Sequence, residues 1–175
     1  MSTEEYLLFI PLLIYGIVLS RLLGEWKRFF DLANWHGPYI ATIVVFTEIA
    51  IWNIYNFLAV FRLDPEPSYT TYLRVLVTPF LFLLGVNALL REDDADGLVD
   101  RSEFASRMRL SYALMACFVG AHLLQRFQGD DEQTLFRLPA FLVMVAIAWF
   151  RKDWLVYLLA AIWIASLVWR LVIAP

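Results

Sequence analysis

Apolar segments recur six times along this chain with only short polar stretches between them, and nothing else in the sequence limits the fold as strongly. They run from about Tyr6 to Leu23, Pro38 to Phe61, Thr71 to Leu90, Ala105 to Leu124, Leu135 to Phe150 and Trp154 to Ile173. An α-helix rises about 1.5 Å per residue, so a hydrocarbon core of about 30 Å is crossed by about 20 residues. Six such spans nearly exhaust the 175 residues. The sequence therefore predicts an all-α, polytopic transmembrane helical bundle, with residues 1–175 as a single transmembrane domain. The fifth segment is the shortest. Five spans are the alternative, if that segment stops short of the far side rather than tilting little or thinning the bilayer.

Composition points the same way. Apolar residues make up 61% of the chain, against about 45–50% in a soluble domain. Seven Trp, eight Tyr and 14 Phe suit membrane interfaces, where amphipathic rings settle. The net charge is −3 and no basic stripe is present, which argues against a nucleic-acid partner. A single cysteine, Cys117, excludes an intrachain disulfide and a multi-cysteine metal site. It lies inside an apolar segment, where inert packing is its ordinary role. The first segment is preceded by Glu4 and Glu5 rather than by basic residues, and no small-residue cleavage site closes it. It reads as a retained span.

The breaks between segments have local causes. Gly37-Pro38 opens the second span, because proline is tolerated in a first helical turn. Asp64-Pro65-Glu66-Pro67-Ser68 is a turn. Gly129-Asp130-Asp131 closes the fourth span, and Arg151-Lys152-Asp153 is a tight polar corner. Basic residues set orientation. Arg21, Lys27, Arg28, Arg91, Arg101, Arg107, Arg109, Arg151 and Lys152 fall on one side, and Arg62, Arg74, Arg126, Arg137 and Arg170 on the other. The richer side is expected in the cytoplasm. That places both termini outside, with residues 91–109 as a cytoplasmic acidic loop and helix start. A weak echo at an offset of 101 pairs Arg21-Leu22-Leu23 with His122-Leu123-Leu124, and Pro38 with Pro139. Three-span units would then be inverted repeats.

Ionisable and amide groups inside the apolar segments need a reason, since lipid offers them no partner. Glu48 is the sharpest case, near the middle of the second span. At about 100° per residue, Glu48, Trp52, Tyr55 and Asn56 share one face, expected to point into the bundle. That arrangement suits a proton or cation relay or a substrate contact. The plainer reading is a Glu that ties helices together by hydrogen bonds. Asn53, Asn87 and His122 are further interior candidates, with helix-to-helix hydrogen bonding as the plainer role. Arg21 either reaches the interface or pairs with Glu25, four residues on. Arg74 and Arg170 lie near helix ends and are expected to snorkel.

His36 and His122 fall at opposite ends of the expected bundle, so they cannot share one haem. A phosphate-cradling glycine loop, a His-Glu-x-x-His pair and a glycine-flanked serine elbow are all missing from the sequence. No enzyme is expected, and no cofactor other than calcium suggests itself.

Calcium enters through one loop. Counted from Glu92, the ligand positions of an EF-hand fall on Glu92, Asp94, Asp96, the Leu98 carbonyl, Asp100 and Glu103, with Gly97 at the turn. Val99 takes the apolar position, and Phe104 and Met108 continue as an exit helix would. Residues 92–103 thus resemble an EF-hand loop. They depart from it at the first position, where the pattern has Asp, and no second copy is present. The plainer reading is a solvated acidic connector with a helix N-cap near Asp100 or Ser102.

Glu5-Tyr6-Leu7 and the run Gly16-Ile17-Val18-Leu19-Ser20-Arg21-Leu22-Leu23-Gly24 resemble the opening of a family of small multi-span bacterial membrane proteins. The aromatic second span and the polar loop after the third are similar too. The resemblance implies an inner-membrane setting and no particular activity, and the calcium-ligand pattern is not part of what is shared.

Two functions follow as expectations. One is a small channel or transporter-like bundle for ions or small solutes, with Glu48 in its interior. Six helices are too few to enclose a wide path, which favours a homo-oligomer embedded in the lipid bilayer. The other is a non-transporting membrane scaffold, or a calcium or partner sensor, working through the acidic loop.

Overall fold

Each apolar segment forms one α-helix. The computed structural model describes residues 3–30, 36–59, 69–90, 101–125 and 131–172. The helices are α1 (Thr3–Glu25), α2 (Gly37–Ala59), α3 (Tyr69–Leu89), α4 (Arg101–Gln125), α5 (Asp131–Phe150) and α6 (Asp153–Val172). A short 3-10 turn, Trp26–Phe30, follows α1. No strand occurs among the described residues. Three helical stretches, Gly37–Leu58, Tyr69–Leu89 and Asp153–Val172, are long and apolar enough to cross a membrane, and Leu135–Phe150 is a shorter apolar stretch. In α4 and α5 the helix starts four residues before the apolar segment, taking in a polar first turn.

Three helices carry a proline in their interior: Pro11, Pro79 and Pro139. A proline lacks the N–H that would bond the carbonyl four residues back. For Pro79 that carbonyl belongs to Val75, and the Thr78 hydroxyl donates to it at 3.4 Å. The helix thus replaces its lost bond locally, one of the ways an apolar helix tolerates proline.

The helices close into a ring. α1 packs on α2 and α3, α3 on α4, α4 on α5, α5 on α6, and α6 returns to α2. Aromatic side chains fill the middle of the α1–α4 part. Tyr15, Phe46, Phe82 and Tyr112 are fully buried, with Phe57 and Phe118 close to it. Their ring centroids lie 5.1 to 6.2 Å apart in tilted pairs, from Phe82–Phe118 at the short end to Phe46–Phe82 at the long end. Such offsets satisfy the ring quadrupoles better than a face-to-face stack. Side-chain hydrogen bonds staple the same region. The Thr42 hydroxyl on α2 donates to the Pro38 carbonyl at 2.8 Å and is hydrogen-bonded to the Tyr112 hydroxyl on α4 at 2.7 Å, and Ser111 donates to the Gly85 carbonyl at 2.8 Å.

Gly85 lets α3 and α4 come that close. A Cβ there would sit 3.0 Å from the Met115 sulfur and 3.5 Å from the Ser111 carbonyl oxygen.

The outward faces are apolar. Phe9, Leu13 and Ile17 on α1, Val77, Phe80 and Leu84 on α3, and Leu138, Leu142 and Val145 on α5 are all exposed at helical spacing. On α6 the buried residues are Leu155, Val156 and Leu159, all near its start. The α5–α6 corner is two residues long and passes through Arg151 at φ 52°.

Candidate functional site

The seam between α2 and α6 holds an ion pair set between indoles. Glu48 sits on α2, with Trp52 one turn later. Trp163 and Arg170 lie two turns apart on α6. The Trp163 Nε1–H donates to Glu48 Oε2. Arg170 Nη2 meets Glu48 Oε1 at 3.4 Å, and its Nε donates to the Ser166 carbonyl at 3.2 Å. The Arg170 guanidinium carbon lies 4.0 Å from the Trp52 ring centre and 5.8 Å from that of Trp163. Both charged side chains are largely covered, Arg170 at 15% exposure and Glu48 at 24%.

The expectation that Arg170 snorkels outward is corrected by this geometry. Helical side chains lean toward their own N-terminus. From the last turn of α6, the long arginine therefore reaches back along the helix, over Trp52, to the carboxylate. A buried charge is held where an opposite charge and hydrogen-bond donors surround it, and Glu48 has both.

Beside this pair lies a cavity of about 460 Å³ between α2, α4, α5 and α6. Asn53 and Asn56 reach it from α2, His122 from α4, Arg137 from α5, and Ser166 and Arg170 from α6. Its walls are aromatic, with Trp52, Phe118, Phe136, Trp163 and Trp169 among them. Glu48 does not line it; the carboxylate sits behind Arg170 and Trp163.

The residues singled out from sequence go to different places. Glu48, Trp52 and Asn56 gather at the α2–α6 seam and the cavity. Tyr55, expected on the inward face, lines the cavity mouth and is 53% exposed. The shared face straddles the seam rather than pointing to the bundle centre, so one edge of it is left outside. Asn53 is buried, donating to the Ile49 carbonyl at 2.8 Å and accepting from Tyr15 at 3.4 Å. Asn87 on α3 accepts from Arg21 Nη1 on α1. Glu25 accepts from Tyr39 at 2.6 Å. His122 packs edge-on to Phe118, centroids 4.6 Å apart, at the far end from His36, which meets Phe104 at 4.9 Å.

The calcium-like positions Glu92, Asp94, Asp96, Leu98 and Asp100 lie outside the described residues, and Glu103 falls in the first turn of α4. Among the described residues, no three His, Cys, Asp or Glu side chains converge as a metal site.

Sequence reasoning missed Trp163, Ser166, Trp169, Arg137 and the inward turn of Arg170. One signal was available. Trp163, Ser166 and Arg170 recur at the three- and four-residue spacing of a single helical face. That polar stripe on the most apolar helix is the natural counterpart of a carboxylate in the middle of an apolar helix.

Comparison of the chain with protein-family models, with curated proteins and with solved structures finds no match.

Proposed function

We propose that the chain is a six-span membrane protein of the transporter-like kind, which admits a small solute to the cavity between α2, α4, α5 and α6. The observation that carries the reading is that cavity. Two arginines, a histidine and two asparagines converge on it within a bundle whose core is largely apolar. Polar groups are retained among apolar helices where they meet one another or a ligand.

The membrane setting is supported by the apolar outer faces. Exposed apolar surface on every side is costly in water and favourable in lipid. Basic-residue placement orients both termini outward, with a bacterial inner membrane as the setting the sequence resemblance suggests. The cavity then opens toward the outer side, where α2, α4 and α6 end and α5 begins. The closed aromatic packing among α1–α4 favours a one-ended carrier site over an open pore. The exposed remainder of α6 supports a homo-oligomer. The two halves do not pack as matched repeats: α1 packs on α3, whereas among the described residues α4 and α6 share no comparable face.

In this reading, the Glu48–Arg170 pair latches α2 to α6 beside the solute. Solute uptake into proteoliposomes, screened across classes of small organic ions, tests it. Uptake by the native chain that falls in Glu48→Gln supports it. Uptake that matches empty liposomes for every class removes it.

The filled α1–α4 core favours a second reading, a non-transporting scaffold or sensor that works through the acidic loop and helix start at residues 91–109. Calcium titrated into the purified chain then binds more tightly than about 1 mM, as even weak EF-hand sites do. Absence of binding heat and of any stabilisation by calcium ends the calcium version.

A further inference from the structure

We propose that the cavity between α2, α4, α5 and α6 binds an amphipathic oxyanion: a carboxylate or phosphate head on an aromatic or aliphatic body. This rests on the reading of that cavity as the solute site, and it names the class of solute.

The first support is charge. Among the described residues, the ionisable groups that line the cavity are Arg137, Arg170 and His122, with Tyr55 at the mouth, and no carboxylate joins them. Glu48 compensates Arg170 from behind, which keeps the arginine in place without filling the cavity. Arginine is suited to this use, because its fork offers several N–H groups to one planar or tetrahedral oxyanion.

Unused donors are the second. Arg170 commits Nε to the Ser166 carbonyl and Nη2 to Glu48. Its Nη1 has no hydrogen bond among the described residues. The Trp169 Nε1–H, on another lining residue of α6, is buried with no acceptor. A buried donor left unpaired is costly, so a ligand that supplies an acceptor there gains a bond the protein alone does not make. The Trp169 N–H and Arg170 Nη1 are both donors, and an acceptor-rich head answers them where a cation does not.

The third is shape. Away from these donors the walls are Phe118, Val119, Phe136 and Leu171. They suit an apolar body. A cavity of about 460 Å³ lies within the range of about 300–1,000 Å³ typical of small-molecule sites. Free organic acids and the heads of anionic lipids share this chemistry, and the experiment separates them.

The test uses the full chain in phosphatidylcholine nanodiscs and follows tryptophan emission, since Trp52, Trp163 and Trp169 all line the cavity. The probes are phenylbutyrate, phenylbutanol and inorganic phosphate. Phenylbutyrate is expected to shift the emission saturably. Phenylbutanol, matched in body but lacking the charge, should bind about tenfold more weakly or worse, and phosphate alone should not compete, lacking the body. Arg170→Gln should weaken phenylbutyrate binding by about tenfold or more. Because that variant strands Glu48, the pair Glu48→Gln/Arg170→Gln is the second arm. It removes both charges, keeps hydrogen-bonding amides at both positions, and should bind just as weakly. Adding phosphatidylglycerol to the discs then identifies the source. Weaker apparent phenylbutyrate affinity marks a lipid head as a competitor, and unchanged affinity marks a free acid.

Equal binding of phenylbutyrate and phenylbutanol, or undiminished binding in the double variant, overturns the proposal. Binding without uptake in proteoliposomes refutes the transporter reading alone. Uptake of some other solute without oxyanion preference refutes the ligand class alone.

Discussion

The guanidinium of Arg170, in the last turn of α6, lies 4.0 Å from the centre of the Trp52 ring on α2. From there it reaches Glu48 at 3.4 Å. Two helices far apart in sequence are thus joined by a cation held between an indole and a carboxylate. Arg170→Gln and Glu48→Gln should each destabilise the bundle, because each strands the other's charge in a largely covered position. The double variant should recover part of the loss, with a coupling energy of about 1–3 kcal/mol. Unfolding of the four proteins in mixed detergent measures it. Additive effects of the two single changes would show that the pair does not bind the helices together.

The ring contributes separately from the carboxylate. Trp52→Leu keeps an apolar side chain but loses the π-face under Arg170. It should cost about 1–2 kcal/mol beyond the loss of buried area, the range for a desolvated cation–π contact. Trp52→Phe should retain part of that. The same unfolding assay separates them, and indistinguishable Leu and Phe variants would mean that the guanidinium only rests against Trp52.

Much of this architecture can be read from the residues in order. Length and apolarity alone place the six helices, since a segment such as Thr71 to Leu90 matches α3 (Tyr69–Leu89) to within two residues at either end. Gly37-Pro38 and Arg151-Lys152-Asp153 mark breaks because their local chemistry does so. The site is harder. A 3.6-residue period puts Glu48, Trp52 and Asn56 on one face, but it says nothing about which helix meets that face. The partner lies 122 positions away. Arg170 is hidden for another reason. An arginine in a last turn reads as reaching for water, and only the presence of Glu48 one helix over turns it back. Tyr55 shows the limit of a helical wheel, since a face that straddles a seam is inside on one edge and outside on the other.

Gly85 tests the α3–α4 contact. Gly85→Ala adds a methyl at 3.0 Å from the Met115 sulfur, a flexible neighbour, and 3.5 Å from the Ser111 carbonyl oxygen, which is fixed. It should cost about 1 kcal/mol, and Gly85→Val about 3 kcal/mol with displacement of the helices, as overpacking does. Combining Gly85→Ala with Met115→Ala opens the space in question, so the penalty of the added methyl should shrink in that background. A penalty that is the same in both backgrounds would place the clash elsewhere.

The hydroxyl of Thr78 and the proline beside it make a narrower case. Pro79 leaves the Val75 carbonyl without its helical N–H, and Thr78 donates to that oxygen at 3.4 Å. Thr78→Val is close in shape and removes the donor. The loss should be about 1 kcal/mol, near the net worth of one hydrogen bond. Restoring the backbone donor with Pro79→Ala should make Thr78→Val nearly neutral. Thermal unfolding of the two single variants and the double one decides this, and an undiminished cost in the Pro79→Ala background would mean that the hydroxyl serves another partner.

The corner at Arg151 gives a backbone test that leaves the site untouched. A non-glycine residue at φ 52° occupies the left-handed region, which costs about 1–2 kcal/mol for a side chain with a Cβ. The chain accepts that cost because only two residues, Arg151 and Lys152, turn α5 into α6. The Arg151 N–H still closes α5 on the Ile147 carbonyl at 2.9 Å, and Leu155 N–H takes the Lys152 carbonyl at 3.0 Å to start α6. Glycine relieves the strain and loses more entropy on folding, so Arg151→Gly should be neutral to stabilising by about 1 kcal/mol. Arg151→Val adds a branched carbon where the backbone tolerates it least and should destabilise by more than Arg151→Ala. Arg151→Pro should be the worst of the series, since its ring fixes φ near −65° and deletes the N–H bonded to Ile147. Thermal midpoints in detergent that rank glycine above arginine, then alanine, valine and proline, match a strained left-handed corner, whereas a series that follows side-chain charge alone would show that Arg151 matters for its guanidinium.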